Sequence, residues 1–524
     1  MKTQYFPLAL LLCAYPLTAA TPCQSLGTLS LPQTTLAFAY PTSAATMLGP
    51  GAMLVKTPAF CRVGGTIAPS SDSDIHFEVW LPEGGWNGKF RAAGNGGFAG
   101  SINYSEMAAA LRDGYATAST DTGHRADGID ANWALGHPEK IADFGYRAIH
   151  EMTIKAKAII QSFYGEAPKH SFFSSCSNGG RQALMEAQRF PEDYDGIIAG
   201  APAYYWTHLL VANFYAAAKP MLDMPASYIP KDKIPAIAGA VLKACDDADG
   251  LKDGILNDPT SCHFDPVTIV CEGADTNNCL TPPQADSLKR IYAGASSSDG
   301  VVIFPGYEPG GEDGGGGWSG WITGSKPGES AGVKFSTGFL RNMVFDNALW
   351  RSKGTELTKT LNAADAKMAA TLNATEANLK PFQARGGKLV VYHGWSDAGI
   401  PPANAISYYE SVTKALGQNT VDSFMRLYMA PGMQHCFGGP GPNLFGQFAV
   451  LKPGDARHDV FTALVDWVEK GAPPAEIVAT KYTKDDPAQP VEMARPLCPY
   501  PSVAKYDGAG GANHAESFVC TAAR

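Results

Sequence analysis

Past its first twenty residues the chain has no segment long and apolar enough to span a bilayer. Positive charge is also scarce. The 41 Lys and Arg stand against 50 Asp and Glu, and the net charge of −9 argues against nucleic acid and anionic membranes as partners. No repeat of useful period is visible, so no repeat architecture is expected. Charged residues make up only 17% of the chain and hydrophobic ones 45%, the balance of an ordinary globular protein. At 524 residues the chain exceeds what one compact core normally holds. Two domains, or one domain with a large insertion, are therefore expected.

The N-terminus reads as a signal peptide over residues 1–20. Lys2 is its charged start, residues 7–17 are an apolar run too short to cross a bilayer, and Thr18-Ala19-Ala20 offers a small-residue cleavage site. Leu11-Leu12 before Cys13 makes a poor lipoprotein signal. The expected location is secreted or periplasmic. Cleavage removes Cys13 and leaves ten of the 11 cysteines, an even number that suits disulfides in an exported chain. Proximity favours Cys245 with Cys262, Cys271 with Cys279, and Cys498 with Cys520. Cys23, Cys61, Cys176 and Cys436 are left over, and spacing does not pair them.

Residues 24–62 suggest antiparallel strands, and 75–81 alternate like another strand. Residues 89–93 form a short strand running into Gly94-Asn95-Gly96-Gly97-Phe98-Ala99-Gly100, a loop able to offer backbone N–H groups to an oxyanion. A buried strand at 115–120, a helix at 144–164 and an apolar strand at 196–200 follow. This alternation implies a mainly parallel sheet. From 204 to 380 the texture changes: Trp, Tyr, Gly and Pro are frequent, four cysteines occur, and the strand-helix rhythm stops. That segment is expected to be an inserted lid domain, leaving 21–203 and 381–524 as the catalytic domain. The rhythm resumes with a strand at 387–394, a helix at Ala403–Leu416, a strand at 424–428 and a closing helix at Val460–Lys470.

One stretch organises the rest. Phe172-Phe173-Ser174-Ser175-Cys176-Ser177-Asn178-Gly179-Gly180 begins as a β-run, breaks at small residues and continues as a helix. This is the nucleophile-elbow pattern, in which a tight turn pushes a serine hydroxyl out in front of a helix N-terminus. The usual G-x-S-x-G reads Ser175-Cys176-Ser177-Asn178-Gly179 here. A serine needs a base, usually a histidine held by a carboxylate. In α/β-hydrolases the chain order is Ser, acid, His. Asp397 in His393-Gly394-Trp395-Ser396-Asp397 and His435 in a later loop meet that order, each just past a strand. Cys176 precedes the serine and Cys436 follows the histidine. If those two pair, their Cα atoms lie within about 7 Å and the serine and histidine must be neighbours.

The Cys-Ser and His-Cys pairs with an intervening Asp resemble the tannase and feruloyl esterase family, which includes a mono(hydroxyethyl) terephthalate hydrolase. The resemblance also covers Trp86-Asn87-Gly88, Arg189-Phe190-Pro191, Tyr194-Asp195-Gly196, Gly200-Ala201-Pro202 and Arg495-Pro496-Leu497-Cys498-Pro499-Tyr500, so it runs along nearly the whole mature chain. It implies an α/β-hydrolase core with a large inserted lid and a secreted serine esterase acting on esters of phenolic or aromatic acids. By position it implies Ser177, Asp397 and His435 as the triad, and Gly97 and Asn178 as oxyanion donors. It also implies a Cys176–Cys436 bridge, which leaves Cys23 with Cys61. Trp321, with Phe335 nearby, resembles an aromatic substrate contact. The terephthalate enzyme's lid arginine has no counterpart in 331–338, which argues against that substrate.

Within the lid, Cys245-Asp246-Asp247-Ala248-Asp249-Gly250-Leu251-Lys252-Asp253-Gly254-Ile255 is dense in carboxylates and suits a hard cation such as Ca²⁺. It is not an EF-hand, because position 6 counted from Asp247 is Lys252 rather than Gly. The resemblance implies a structural Ca²⁺ held by Asp246, Asp249 and Asp253 and by the carbonyls of Leu251 and Ile255. The expected substrate is a small aromatic ester, feruloyl or a related hydroxycinnamoyl ester, free or attached to plant cell-wall polysaccharide or tannin. Motifs alone do not separate this from a tannase. The reading from a different class is a binding protein on a catalytically dead hydrolase fold, against which the intact Ser177, Asp397 and His435 stand.

Overall fold

The computed structural model describes residues 21–48, 54–297, 299–451 and 453–522. The expected signal segment lies outside the described residues. Nine strands form the main sheet: β1 (Thr34–Thr42), β2 (Phe60–Ile67), β3 (Ile75–Pro82), β4 (Lys89–Ala93), β5 (Ala116–Thr120), β6 (His170–Cys176), β7 (Gly196–Gly200), β8 (Lys388–Gly394) and β9 (Met425–Ala430). Their spatial order is β1-β2-β3-β5-β4-β6-β7-β8-β9. The pairings from β1 to β5 are antiparallel, and those from β5 through β9 are parallel.

The parallel strands are buried along nearly their whole length because both faces are covered. Successive side chains alternate between two cores. Ile197, Ala199, Leu389 and Val391 face a core shared with α2 (Ala148–Tyr164), α3 (Asn178–Arg189) and α4 (Ala403–Leu416). Ile198, Val390 and Tyr392 face the opposite core, closed by Phe461 and Leu464 of α5 (Val460–Lys470). A further helix that packs on the sheet, α1 (Tyr104–Arg112), buries Met107 and Leu111 against Phe60 and Trp80.

In its described residues the segment between β7 and β8 adds no strand to this sheet. It is largely helical, including Trp206–Asn213, Ile234–Cys245, Pro282–Ala293 and Ala331–Phe339, with one small sheet of Ala295–Ser296 and Val302–Phe304. The helix expected from residue 144 opens with a π turn, Asp143–Arg147, before α2. After α5 the chain forms two hairpins that the periodicity does not announce, Ile477–Tyr482 with Val491–Leu497 and Ser502–Tyr506 with Phe518–Ala522. Five disulfides are present: Cys23–Cys61, Cys176–Cys436, Cys245–Cys262, Cys271–Cys279 and Cys498–Cys520.

One acid inside this framework is poorly matched to its surroundings. Glu186 of α3 is 1% exposed, and neither carboxylate oxygen has a hydrogen-bond partner among the described residues. Burial, together with the nearby Asp193, pushes its carboxyl well above the ordinary range. The folded state therefore holds a proton that the unfolded chain releases above about pH 4.3. The sign follows: this group's contribution to stability declines as pH rises through that window, by up to about 1.4 kcal/mol per pH unit. Glu186→Gln is expected to flatten the decline, as read from urea melts at about pH 5 and about pH 8. Equal pH dependence in the two proteins would contradict the assignment.

Candidate active site

Ser177 sits between the end of β6 and the start of α3 with φ 66° and ψ −124°. This strained conformation costs about 1–3 kcal/mol and must be imposed by its surroundings. Its N–H donates to the Gly200 carbonyl at 2.9 Å, and its own carbonyl accepts from the N–H groups of Ala203 and Arg181 at 3.1 Å. The turn closes because α3 starts with glycines. A Cβ on Gly180 would lie 2.3 Å from the Gly200 oxygen, and one on Gly179 would lie 2.0 Å from Ser175 Oγ. Ser175, where the usual motif has glycine, is buried and accommodated by glycines on both sides, since a Cβ on Gly94 would also lie 2.9 Å from the Ser175 Cβ.

The neighbouring parallel strands β8 and β9 end in register at Gly394 and Ala430. The loops beyond them are tied by Trp395 N–H to the Ala430 carbonyl (2.9 Å) and Ser396 N–H to the Met433 carbonyl (3.0 Å). These loops carry Asp397 and His435. His435 Nε2 lies 2.9 Å from Ser177 Oγ, and His435 Nδ1 lies 2.8 Å from Asp397 Oδ2. The Cys176–Cys436 bridge, with a Cα–Cα distance of 6.0 Å, flanks the pair. The Asp397 side chain is fully buried. Its Oδ1 accepts from the N–H groups of Gly399 (2.7 Å) and Ile400 (2.9 Å). Its Oδ2 also meets His393 Nε2 at 3.0 Å. Burial by itself would raise this carboxyl. The facing His435 and the hydrogen bonds from His393 and His435 outweigh it and hold the carboxyl well below the ordinary carboxylate range.

Gly97 and Asn178 line the same cavity as Ser177. Asn178 is the first residue of α3, so its N–H has no partner within the helix. Gly97 has φ +56°, and a Cβ there would lie 2.3 Å from the Gly128 oxygen, so the position requires glycine. The two segments are clipped together: Asn178 Nδ2 donates to the Asn95 carbonyl at 3.2 Å, and Asn95 N–H donates to Gln182 Oε1 at 3.0 Å. Buried Arg181 donates to Asn178 Oδ1 at 2.8 Å and to the carbonyls of Gly145 and Phe144, and its guanidinium lies over the Phe144 and Trp206 rings. Burial lowers it to about 9.

The cavity beyond Ser177 is mostly apolar, walled by Trp206, Leu209, Leu210, Trp321, Phe335 and Ile400. Asn213 and Ser336 are its polar side chains away from Ser177, and His435 is its only ionisable lining residue among the described residues. Trp321 stacks on Phe335 (centroids 6.1 Å apart, 14° between planes) and presents an edge-on contact to His435 at 4.9 Å. Trp321 and His435 also border a second cleft, lined by residues 314–316, Asp313 and exposed Phe437. Sequence reasoning missed Trp206, Leu209, Leu210, Ile400 and His393 in these roles. Only the helical spacing of Trp206 with Leu209 and Leu210 could have grouped any of them.

The acidic loop of the insertion is turned in on itself. Asp246 Oδ1 accepts from Gly254 N–H, both Asp249 oxygens accept from backbone N–H groups (Leu251 and Asn257), and Asp253 Oδ1 accepts from Ile255 N–H. Asp253 also pairs with Arg495, which is fully buried. Burial, with Asp253 adding to it, raises the Asp249 carboxyl. The four carboxylates of residues 246–253 thus outnumber the cations beside them, Lys252 and Arg495, the condition a hard cation relieves. Among the described residues, the set of three metal-type donors that come within 4.8 Å of one another is a different one, His150, Glu186 and Asp193.

A mixed, mostly parallel sheet with helices on both faces, with a serine, an imidazole and a carboxylate aligned at its C-terminal edge, is an α/β-hydrolase fold. A family model described as tannase and feruloyl esterase matches residues 61–521. An uncharacterised esterase of Xanthomonas campestris is 42% identical over 96% of this chain and 91% of its own. A probable feruloyl esterase B-2 of Aspergillus terreus is 32% identical over 88% and 86%. The crystal structure of feruloyl esterase B from Aspergillus oryzae superposes with a TM-score of 0.85 at 27% identity, covering 95% of this chain and 99% of that one. A tannin acyl hydrolase from Aspergillus niger shares the fold, with a TM-score of 0.75 at 22% identity over 96% and 94%. The chain belongs to the tannase and feruloyl esterase family and is a carboxylic ester hydrolase.

Replacing Cys176 and Cys436 together by serine opens a loop of 260 residues. In the chain-entropy account a bridge that long is worth about 5–6 kcal/mol. The double variant is expected to melt lower and to lose at least about tenfold in kcat on any ester, since small misplacements of reacting groups are costly. Unchanged kcat in a folded variant would show that the bridge does not position the pair.

Proposed function

We propose that the protein is a secreted or periplasmic serine esterase that cleaves esters of phenolic acids, feruloyl or related hydroxycinnamoyl esters foremost, through Ser177, His435 and Asp397. The observation that carries this reading is the Ser177 hydroxyl, 2.9 Å from His435 Nε2, at the mouth of an aromatic cavity. His435 Nε2 takes the Ser177 proton as Oγ attacks the ester carbonyl carbon. The N–H groups of Gly97 and Asn178 receive the oxyanion, each contributing about 3 kcal/mol. His435 returns the proton to the departing alcohol, and a water, deprotonated in turn by His435, hydrolyses the aryl-acyl enzyme. Asp397, kept ionised by its donors, holds the His435 tautomer with Nδ1–H directed to it.

The acyl group is assigned to the apolar cavity, with its ring against Trp321 and Phe335. The alcohol is assigned to the wider cleft beside Phe437, which is open enough for a polysaccharide or tannin. A cavity with no ionisable side chain besides His435 among the described residues disfavours an acid bearing a second, free carboxylate, as in a terephthalate monoester. Two distal polar side chains suit a hydroxycinnamoyl ring better than the three hydroxyls of a galloyl group. The names of the feruloyl esterase relatives support the same choice. The insertion, residues 204–380, is assigned as the lid domain. Within it Asp246, Asp249, Asp253 and the carbonyls of Leu251 and Ile255 would hold Ca²⁺, whose charge would stabilise the loop without entering the reaction.

Methyl ferulate is expected to be hydrolysed with at least about tenfold higher kcat/KM than methyl gallate, and Ser177→Ala is expected to abolish both activities by about 10⁴-fold or more. A preference for gallate would make the enzyme a tannase, and turnover retained in Ser177→Ala would remove the mechanism. Chelation is expected to lower the melting temperature by about 5 °C and to be reversed by Ca²⁺. An unchanged melting temperature would end the Ca²⁺ assignment.

A further inference from the structure

We propose that His393 is a positioning residue for the reaction: its imidazole locks the Asp397 carboxylate and ties it to the wall of the acyl cavity. The inference rests on the catalytic reading of Ser177, His435 and Asp397 given above. His393 is the penultimate residue of β8 and is completely enclosed. Its Nε2 lies 3.0 Å from Asp397 Oδ2 and 3.1 Å from the Ile400 carbonyl. Both partners only accept hydrogen bonds, so Nε2 carries the hydrogen and shares it between them. Its other ring nitrogen, Nδ1, is buried and finds no partner among the described residues.

This hydrogen completes the shell around Asp397. Oδ1 is held by two main-chain N–H groups, from Gly399 and Ile400, and Oδ2 is held by two imidazoles, one on each side. Without His393, Oδ2 would keep His435 as its one donor, and the carboxylate would be oriented by three hydrogen bonds instead of four, one of them from the very imidazole it has to position. The same hydrogen reaches Ile400, whose N–H grips Oδ1 and whose side chain lines the acyl cavity. His393 therefore joins the acid to the cavity wall in one rigid turn. The titratable groups that share this environment are His435, Tyr392 and Tyr307. The latter two are themselves pushed upward by burial, with Asp397 contributing.

The test compares His393→Phe, which keeps a ring but has no donor, with His393→Gln, whose amide reaches the Nε2 position, and His393→Asn, which is one methylene short. Steady-state kinetics with methyl ferulate and with p-nitrophenyl acetate, full pH–rate profiles and melting curves are measured on each full-length protein. His393→Phe and His393→Asn are expected to lose about 10- to 100-fold in kcat with KM within about twofold, because the loss falls on the transition state. The acidic limb of kcat/KM is expected to move in both, and His393→Gln to recover most of the rate and the limb. Equal rates and limbs for the Gln and Asn variants, or wild-type kinetics in a folded Phe variant, would overturn the proposal. Because p-nitrophenyl acetate does not depend on the aromatic cavity, failure of wild type on ferulate alone would sink the substrate assignment and leave His393 tested. Retention of activity by Ser177→Ala on both esters would sink the catalytic reading and this proposal with it.

Discussion

A single covalent link between residues 260 positions apart brings the turn of Ser177 beside the loop of His435. Cys176 ends β6 and Cys436 lies beyond β9. Two other strands separate these in the sheet, and the insertion separates them along the chain. The bridge turns a long-range adjacency into a local one, so the strained serine turn and the histidine loop move as a unit. Strain at Ser177 and positive φ at Cys436 lie on the two sides of this link. Neither would persist without surroundings that over-determine it.

Around the link, the rigid and the variable parts are divided cleanly. Ser177, Asp397 and His435 lie just beyond the C-terminal ends of the parallel strands β6, β8 and β9. The acyl cavity is finished mostly by the insertion, through Trp206, Leu209, Trp321 and Phe335. Under the proposed mechanism catalytic geometry belongs to the sheet, whereas selectivity belongs to a segment whose described residues share none of its strands. Of the two proposed oxyanion donors, Gly97 comes from a third source, the loop after β4, and Asn178 from the start of α3, and the Asn95 amide network clips the two segments together. The buried guanidinium of Arg181, with aromatic rings and carbonyls for partners, is an expensive support, and its contact with Asn178 places it beside the helix start that faces the oxyanion.

Much of this is legible in the amino-acid sequence. The elbow, the order Ser177, Asp397, His435 and the flanking cysteines are local patterns, and strand ends are where such sheets keep their sites. Helices Ala403–Leu416 and Val460–Lys470 follow their apolar spacing and have the bounds the pattern suggests. What sequence does not reveal depends on three-dimensional placement. His393 opens the same short motif that holds Asp397, yet its importance lies in where Nε2 points. Trp206 and Leu210 look like ordinary core of a helix until the insertion folds over Ser177. The C-terminal hairpins are short, interrupted by Pro and Gly, and held partly by Cys498–Cys520, so their alternation is weak. Ser175 departs from the usual motif, but Gly94 and Gly179 leave the space it occupies.

The central claim is that Ser177, and no other side chain, becomes covalently joined to the acid half of the ester. Mass spectrometry of the protein quenched in acid during turnover of an aromatic ester tests this directly. The account predicts a mass increase equal to the aryl-acyl group, located on the peptide containing Ser177 and absent from the Ser177→Ala protein. An adduct on another residue, or turnover with no acyl-enzyme under conditions where deacylation limits the rate, would contradict it.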